Sequence, residues 1–146
     1  MRLPLFAAVA LILTPVLAPV PAAAQDVVLT LTDVEARGGR IVASVNTEAQ
    51  FFRAAPLQAA QAPGDKAGEV VLTFTDVPPG DYAVMVMHDI NDNGQFDMGA
   101  MGPLDGWAFS RGTGPIMGMP TFAQHRFTVT EAGAVLTERM FYGDGR

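Results

Sequence analysis

The segment Tyr82-Ala83-Val84-Met85-Val86-Met87 is apolar on both faces that an extended chain presents. Successive side chains of a strand point to opposite sides of a sheet, so a strand of this kind is covered on both sides. Pro78-Pro79-Gly80 turns the chain just before it. The segment is therefore predicted to be a strand in the middle of the fold.

Further strand candidates, separated by turn residues, lie on either side of this segment. They are residues 27–34, 41–45, 69–75, 106–110, 126–130 and 134–142. The first two are predicted to form a hairpin around the turn at 37–40. Residues 47–62 are rich in Ala and Gln, and we expect a long loop with one short helix at most. About seven strands at these intervals predict an all-β fold, an antiparallel β-sandwich.

The core is predicted where two apolar strand faces meet. Alternation along residues 69–75 and 82–87 puts three side chains of each segment on one face. We expect the two faces to pack together across paired sheets, and their residues are Val70, Leu72 and Phe74, and Tyr82, Val84 and Val86.

The beginning of the chain has the pattern of a signal peptide. Met1-Arg2 is positive, residues 3–20 are mostly apolar, and Ala22-Ala23-Ala24 offers a cleavage site, so we expect residues 1–24 to be removed. The alternative is a membrane anchor, which needs about 20 consecutive apolar residues. Three prolines interrupt the apolar segment here. Residues 25–146 would then form a single domain in the periplasm or outside the cell.

Charge and composition exclude several classes of function. Fifteen acidic against nine basic residues give a net charge of −6, which argues against a nucleic-acid partner. The absence of cysteine excludes disulfides, thiolate metal sites and a cysteine nucleophile. No Gly-x-Ser-x-Gly elbow or other catalytic set is recognisable, so the chain is not predicted to be an enzyme.

A possible calcium loop follows the central strand. Its sequence is Asp89-Ile90-Asn91-Asp92-Asn93-Gly94-Gln95-Phe96-Asp97, which matches the first half of an EF-hand loop as D-x-N-x-N-G-x-x-D. Ca²⁺ takes six to eight oxygen ligands, and alternate residues of a tightly curled loop can supply them. The predicted ligands are side-chain oxygens of Asp89, Asn91, Asn93 and Asp97 and the backbone carbonyl of Gln95.

The loop departs from an EF-hand in two ways. Ala100 stands where the bidentate glutamate would be, and no amphipathic helix flanks the loop. Asp105 is the next carboxylate that could complete the ligand shell. No Lys or Arg occurs from Ala67 to Ser110, a stretch with seven acidic residues, and a divalent cation would relieve their repulsion. The alternative is an ordinary turn, since Asn, Asp and Gly are good turn formers.

Several motifs together resemble a known family. They are Pro79-Gly80-Asp81-Tyr82-Ala83, His88 to Gly94, Phe96-Asp97, Gly106-Trp107-Ala108-Phe109-Ser110 and Pro120-Thr121-Phe122. In this order they are similar to domain-of-unknown-function family 2141, small exported bacterial proteins, over about residues 27–142. Trp107 and the Met-rich segment 114–119 depart from the family pattern. The resemblance implies an exported β-sandwich, immunoglobulin-like or transthyretin-like, without an established activity.

The histidines and methionines allow two interpretations. His88 could be a metal ligand or a general base, but its register with Tyr82, Val84 and Val86 favours hydrogen bonding inside the sandwich, where it would brace the loop. Met85 and Met87 share one strand face, and Met117 and Met119 repeat the spacing. Thioethers with a histidine can bind Cu(I), whereas methionine otherwise fills irregular gaps in a core.

Two functions follow as hypotheses. The first is an exported, calcium-stabilised binding or structural module of the bacterial envelope, whose partner would be an envelope protein or a glycan. The alternative is a periplasmic copper-handling protein that uses Met and His.

Overall fold

The computed structural model describes residues 23–114 and 118–143. Within them the chain forms eleven strands and one short helix. In chain order these are β1 Gln25–Val34, β2 Arg40–Asn46, β3 Gln58–Pro63, β4 Gly68–Val77, β5 Gly80–Asp89, β6 Met98–Gly99, β7 Gly102–Pro103, β8 Gly106–Phe109, α1 Phe122–His125, β9 Phe127–Val129, β10 Ala134–Arg139 and β11 Phe141–Tyr142.

The strands build two packed sheets. The smaller sheet has the order β10-β1-β4, and the larger has the order β11-β8-β5-β2-β3, with β9 pairing the first residues of β5. Strands β6 and β7 form a separate two-stranded hairpin. The all-β sandwich predicted from the sequence is confirmed. Strand β5 lies in the middle of the larger sheet, as its apolar sequence predicts.

The core lies between the two sheets. Val84 and Val86 of β5 and Leu72 and Phe74 of β4 are buried in one cluster, which also includes Tyr82. Val70 packs against this cluster while partly exposed. The predicted core is therefore confirmed. Alternation explains it, because every second residue of each strand faces the opposite sheet.

The predicted hairpin between the first two strands is wrong. β1 pairs with β4 and β10, whereas β2 pairs with β3 and β5 in the other sheet. The turn after β1 carries the chain across the core to the opposite sheet, so that β2 does not lie beside β1. The pairing of β1 with β10 is also parallel, unlike the other strand pairs of the described residues. A parallel pair needs a long connection, and the rest of the fold supplies it.

The segment predicted as a long loop contains a strand. Residues 58–63 form β3 along the edge of the larger sheet, opposite residues 40–45 of β2. Only the first part of the segment turns helically, where the Phe51 amide donates to the Thr47 carbonyl at 3.0 Å. Ala and Gln have little intrinsic preference for strands, so β3 forms because β2 offers a free edge. The predicted strand 134–142 also divides at Met140 into β10 and β11, which belong to different sheets.

No helix among residues 23–114 and 118–143 is both long and apolar enough to cross a membrane. The predicted signal peptide, residues 1–24, lies almost wholly outside the described residues, so its cleavage stays a prediction.

Candidate functional site

The predicted calcium loop begins where the central strand ends. Asp89, the last residue of β5, is fully buried, and its Oδ1 and Oδ2 accept hydrogen bonds from the backbone N–H groups of Asn93 at 3.0 Å and Gly94 at 2.8 Å. Asp92 and Gly94 have φ angles of 60° and 77°. These left-handed residues curl the chain back over the Asp89 carboxylate, which is the curvature that an oxygen-lined loop needs.

Three of the predicted ligands meet at the Asp97 carboxylate. Its Oδ2 accepts hydrogen bonds from Nδ2 of Asn91 at 2.6 Å and from Nδ2 of Asn93 at 2.8 Å. Rotating either amide by half a turn would present its oxygen at the same place. Gln95, the fifth predicted residue, is exposed in the same loop and donates its backbone N–H to Oδ1 of Asn93 at 2.8 Å. The structure therefore brings the predicted residues into one loop with Asp89 at its base.

Asp105 folds back onto this loop. It is 2% exposed, and its Oδ1 and Oδ2 accept the backbone N–H groups of Ile90 at 3.1 Å and Asp97 at 2.8 Å. The side chain therefore ties the two ends of the loop together. Sequence reasoning found Asp105 only as a further oxygen donor and missed this bracing contact.

Arg40 makes a second contact with the loop that sequence reasoning did not find. It lies opposite Asp89 in the β2–β5 ladder, with its Nε 2.9 Å from Oδ1 of Asp92 and 3.5 Å from Oδ2 of Asp89. The acidic segment therefore has a positive counter-charge from a distant strand. The loop still holds four carboxylates, those of Asp89, Asp92, Asp97 and Asp105, against one guanidinium.

Gly39 packs directly against the start of the loop. A Cβ atom on this residue would lie 2.0 Å from the Asp89 carbonyl oxygen, and its φ is 63°. Glycine is therefore required here by both space and conformation. The turn that contains it holds Arg40 in place beside Asp89.

In residues 23–114 and 118–143, no group of three or more aspartate, glutamate or histidine side chains lies close enough together to hold a metal ion. The predicted calcium set has a different composition, since only Asp89 and Asp97 are carboxylates and the other oxygens come from amides and a carbonyl.

His88 is held inside the protein by two hydrogen bonds. It is fully buried, with Nε2 2.8 Å from the Gly38 carbonyl oxygen and Nδ1 2.8 Å from the Tyr142 hydroxyl. A carbonyl only accepts, so Nε2 donates to Gly38, and in the neutral ring the Tyr142 hydroxyl donates to Nδ1. That hydroxyl also accepts the Glu35 backbone N–H at 3.1 Å. The predicted hydrogen bonding inside the sandwich is confirmed, but the prediction that His88 braces the acidic loop is wrong, because its bonds hold the 35–39 connection.

The other histidine also has structural contacts. Nδ1 of His125 lies 2.9 Å from the Ser110 carbonyl oxygen, and the ring stacks on Phe109 at 4.8 Å between centroids. The Oγ of Ser110 accepts a hydrogen bond from the Val84 backbone N–H at 2.8 Å. This bond fills the gap where the partner of β5 changes from β9 to β8.

A second feature is an apolar groove on the outer face of the larger sheet. The inward residues of β2, β5 and β8 belong to the core, and the alternate residues form the floor of the groove: Val42, Ser44, Met85, Met87, Trp107 and Phe109. Sequence reasoning placed Met85 and Met87 on one face, and the structure turns this face outward.

Three connecting segments form the walls of this groove. Phe52 comes from the connection after β2, Phe96, Met98 and Pro103 from the acidic loop and its β6–β7 hairpin, and Met119 and Pro120 from the segment before α1. The groove encloses about 830 Å³. The acidic loop thus contributes residues to both features.

The family comparison covers most of the chain. A bacterial family described as "Uncharacterized protein conserved in bacteria", DUF2141, matches residues 29–137. The chain belongs to this family. No curated protein and no solved structure matches it significantly. In this DUF2141 protein two of the segments that carry the resemblance are neighbours in space, because β5, which leads into the acidic loop, pairs with β8, residues 106–109.

Proposed function

We propose that this protein is an exported, calcium-stabilised β-sandwich of the bacterial envelope that acts as a binding or structural module. The observation that carries the proposal is that Asn91 and Asn93 meet the Asp97 carboxylate in a curled loop, whose first residue, Asp89, accepts the Asn93 backbone N–H at the end of the central strand. Asp89, Asn91, Asn93 and Asp97 would bind through side-chain oxygens and Gln95 through its carbonyl.

The charge of the loop supports a cation. Four carboxylates share one guanidinium, that of Arg40, so the loop has an excess of negative charge. A divalent cation between Asp89 and Asp97 would reduce this repulsion and replace hydrogen bonds that now hold the two side chains. Because only two ligands are charged and the bidentate glutamate is missing, we expect a Kd on the order of 10⁻⁴–10⁻³ M, as in extracellular calcium modules.

The proposed location follows from the first residues of the chain. The pattern of Arg2, the apolar segment and Ala22-Ala23-Ala24 supports export to the periplasm or beyond. An exported module without a recognisable catalytic set would contact an envelope protein or a glycan. N-terminal sequencing of the protein from the periplasmic fraction tests this, and a first residue other than Gln25 would contradict the proposed cleavage site.

Thermal unfolding with and without calcium tests the ion directly. For that Kd, calcium at about 10 mM should add roughly 1.4–2.7 kcal/mol to the unfolding free energy, because the ion binds only the folded state. Asp97→Asn should remove most of this gain. Magnesium at the same concentration should give a smaller gain, since it demands stricter geometry and keeps its water.

Asp92→Asn is the matched control. It makes the same chemical change in the same loop, but Asp92 is exposed and pairs with Arg40, and it is not a proposed ligand. Most of the calcium-dependent gain should remain in this variant, because Asp92 contributes charge to the loop but no ligand. Equal unfolding temperatures in calcium and in chelator would refute the calcium proposal and leave the loop as a hydrogen-bonded turn.

The copper-handling alternative has one observation in its favour. Met85, Met87, Met98 and Met119 all line the same groove, where their thioethers could bind Cu(I). Neither histidine is among the described residues that line the groove, so these residues offer thioether sulfur without a histidine. Titration with Cu(I) against a chromophoric chelator tests this alternative, and competition by the protein below micromolar copper would favour it over calcium.

A further inference from the structure

We propose that the groove on the outer face of the larger sheet binds an uncharged, largely apolar small molecule. The inference goes beyond the calcium proposal and does not depend on it, because none of the groove residues is a proposed calcium ligand.

The floor of the groove is a sheet face on which no second sheet of residues 23–114 and 118–143 packs. Sandwich strands normally alternate apolar and polar residues, with the polar ones outward. Here the outward positions of β5 and β8 hold Met85, Met87, Trp107 and Phe109. Phe51 and Phe122 pack over one part of this face and form a small second cluster with Phe109. The remaining apolar floor is left open to the groove.

The shape of the groove favours a small molecule over a second sheet or a flat protein surface. Side chains from three separate connections stand around the floor, so a flat surface would meet these walls before it reached Met85 or Met87. A volume of about 830 Å³ lies within the range of roughly 300–1,000 Å³ that is typical of sites for small organic ligands.

The lining sets the charge of the ligand. Among the residues that the structure describes, the lining contains no Asp, Glu, Lys, Arg or His, although the whole chain has a net charge of −6. A charged group placed there would lose its hydration without gaining an oppositely charged partner among these residues. Ser44 offers little hydrogen bonding, because its Oγ already accepts Nδ2 of Asn46 at 3.0 Å and donates to the Met85 carbonyl at 3.4 Å. The part of the ligand that enters the groove is therefore neutral and apolar.

The walls are exposed and adaptable. Phe52, Phe96, Met98 and Met119 are 50%, 44%, 64% and 80% exposed. A cluster of large exposed apolar side chains commonly marks a binding site, whereas single exposed apolar side chains are ordinary on a protein surface. Methionine is unbranched and polarizable, so it can adjust to the outline of a ligand. Closure of these side chains over an apolar molecule would remove them from water.

Trp107 makes the groove directly observable. It is the single tryptophan of the chain and part of the groove floor. N-phenyl-1-naphthylamine, a neutral and apolar fluorophore, can be titrated into the mature protein while Trp107 is excited. We expect saturable loss of tryptophan emission with a matching rise in probe emission, at one probe per chain. The result should be the same in calcium and in chelator, so its failure is distinguishable from failure of the calcium proposal.

Two pairs of variants test the location. Val42→Phe fills the floor and should weaken probe binding at least tenfold, whereas Val71→Phe, on the outward face of β4 in the other sheet, should leave it unchanged. Met98→Lys puts a charge on an exposed wall residue with little effect on folding, and it should also weaken binding. Its control is Val135→Lys, at a residue that is 78% exposed on β10.

Three results would overturn the proposal. One is a titration without saturation, and a second is equal probe affinity in Met98→Lys and Val135→Lys. The third is a stable dimer by sedimentation velocity that excludes the probe and is broken by Met98→Lys, because the groove would then be covered by a second copy of the chain.

Discussion

Replacing Asp105 by asparagine should destabilise the folded protein even without calcium. The carboxylate is 2% exposed and accepts two backbone N–H groups, from Ile90 at 3.1 Å and from Asp97 at 2.8 Å. Asparagine has one carbonyl oxygen and one NH₂ group, so one of the two backbone N–H groups would face another donor. A hydrogen bond to a charged group is worth about 1.5–3 kcal/mol, and we expect Asp105→Asn to cost about 2–3 kcal/mol.

Denaturant unfolding in chelator and in calcium is the assay. In a parallel thermal unfolding experiment, a loss of 2–3 kcal/mol in a domain of this size corresponds to a fall of roughly 6–15 °C in Tm. Asp92→Asn, at an exposed residue of the same loop, should cost less than about 1 kcal/mol, as expected for a surface ion pair. A loss below about 0.5 kcal/mol for Asp105→Asn in chelator would refute the bracing role. A loss that appears only in calcium would make Asp105 a metal ligand.

Three further changes test the core, the histidine network and one buried carboxyl. Val84→Ala removes two methyl groups from a fully buried position and should cost about 1–3 kcal/mol in denaturant unfolding, so a loss under 0.5 kcal/mol would contradict its place in the core. Tyr142→Phe leaves Nδ1 of His88 and the Glu35 N–H without their hydroxyl partner and should cost about 1–3 kcal/mol in the same assay. Burial raises the pKa of the Glu138 carboxyl above its ordinary value of 4.5, although hydrogen bonds from the Arg111 and Gly112 backbone N–H groups partly lower it. The folded protein then keeps this proton to higher pH than the unfolded chain, so unfolding free energy falls as pH rises from 4.5 through the folded-state pKa. Glu138→Gln should lack this part of the pH dependence, and parallel slopes for the two proteins between pH 4 and 7 would contradict the shift.

The local features of the fold were predictable from the sequence. The position of β5 follows from a run of apolar residues on both faces, and the core follows from alternation in Leu72, Phe74, Val84 and Val86. Both signals lie within a few neighbouring residues. The acidic loop was found for the same reason, because its oxygen-bearing residues are contiguous from Asp89 to Asp97.

The long-range features were not predictable. Whether β1 pairs with β2 depends on which sheet offers the better packing, and the turn at 37–40 is compatible with either arrangement. Arg40 reaches Asp89 only because β2 and β5 are neighbours in the larger sheet. Strand β3 has Ala and Gln where strands prefer β-branched residues, so its state is decided by the free edge of β2. To predict that Met85 and Met87 face outward, one would likewise have needed the order of the strands in the sheet.

The position of β1 has a consequence for how the chain folds. This strand is the middle one of the smaller sheet, and Val27 pairs with Phe74 on one side and with Ala134 on the other. A chain is synthesised from its N-terminus, so the first strand made must wait for almost the last one before the sheet is complete. Contacts between such distant segments close slowly, because a large loop entropy is lost before the pairing is gained. Until residues 134–139 arrive, Leu29 and Leu31 have only part of their final cover. One edge of β1 therefore stays unpaired until residues 134–139 are available to the sheet.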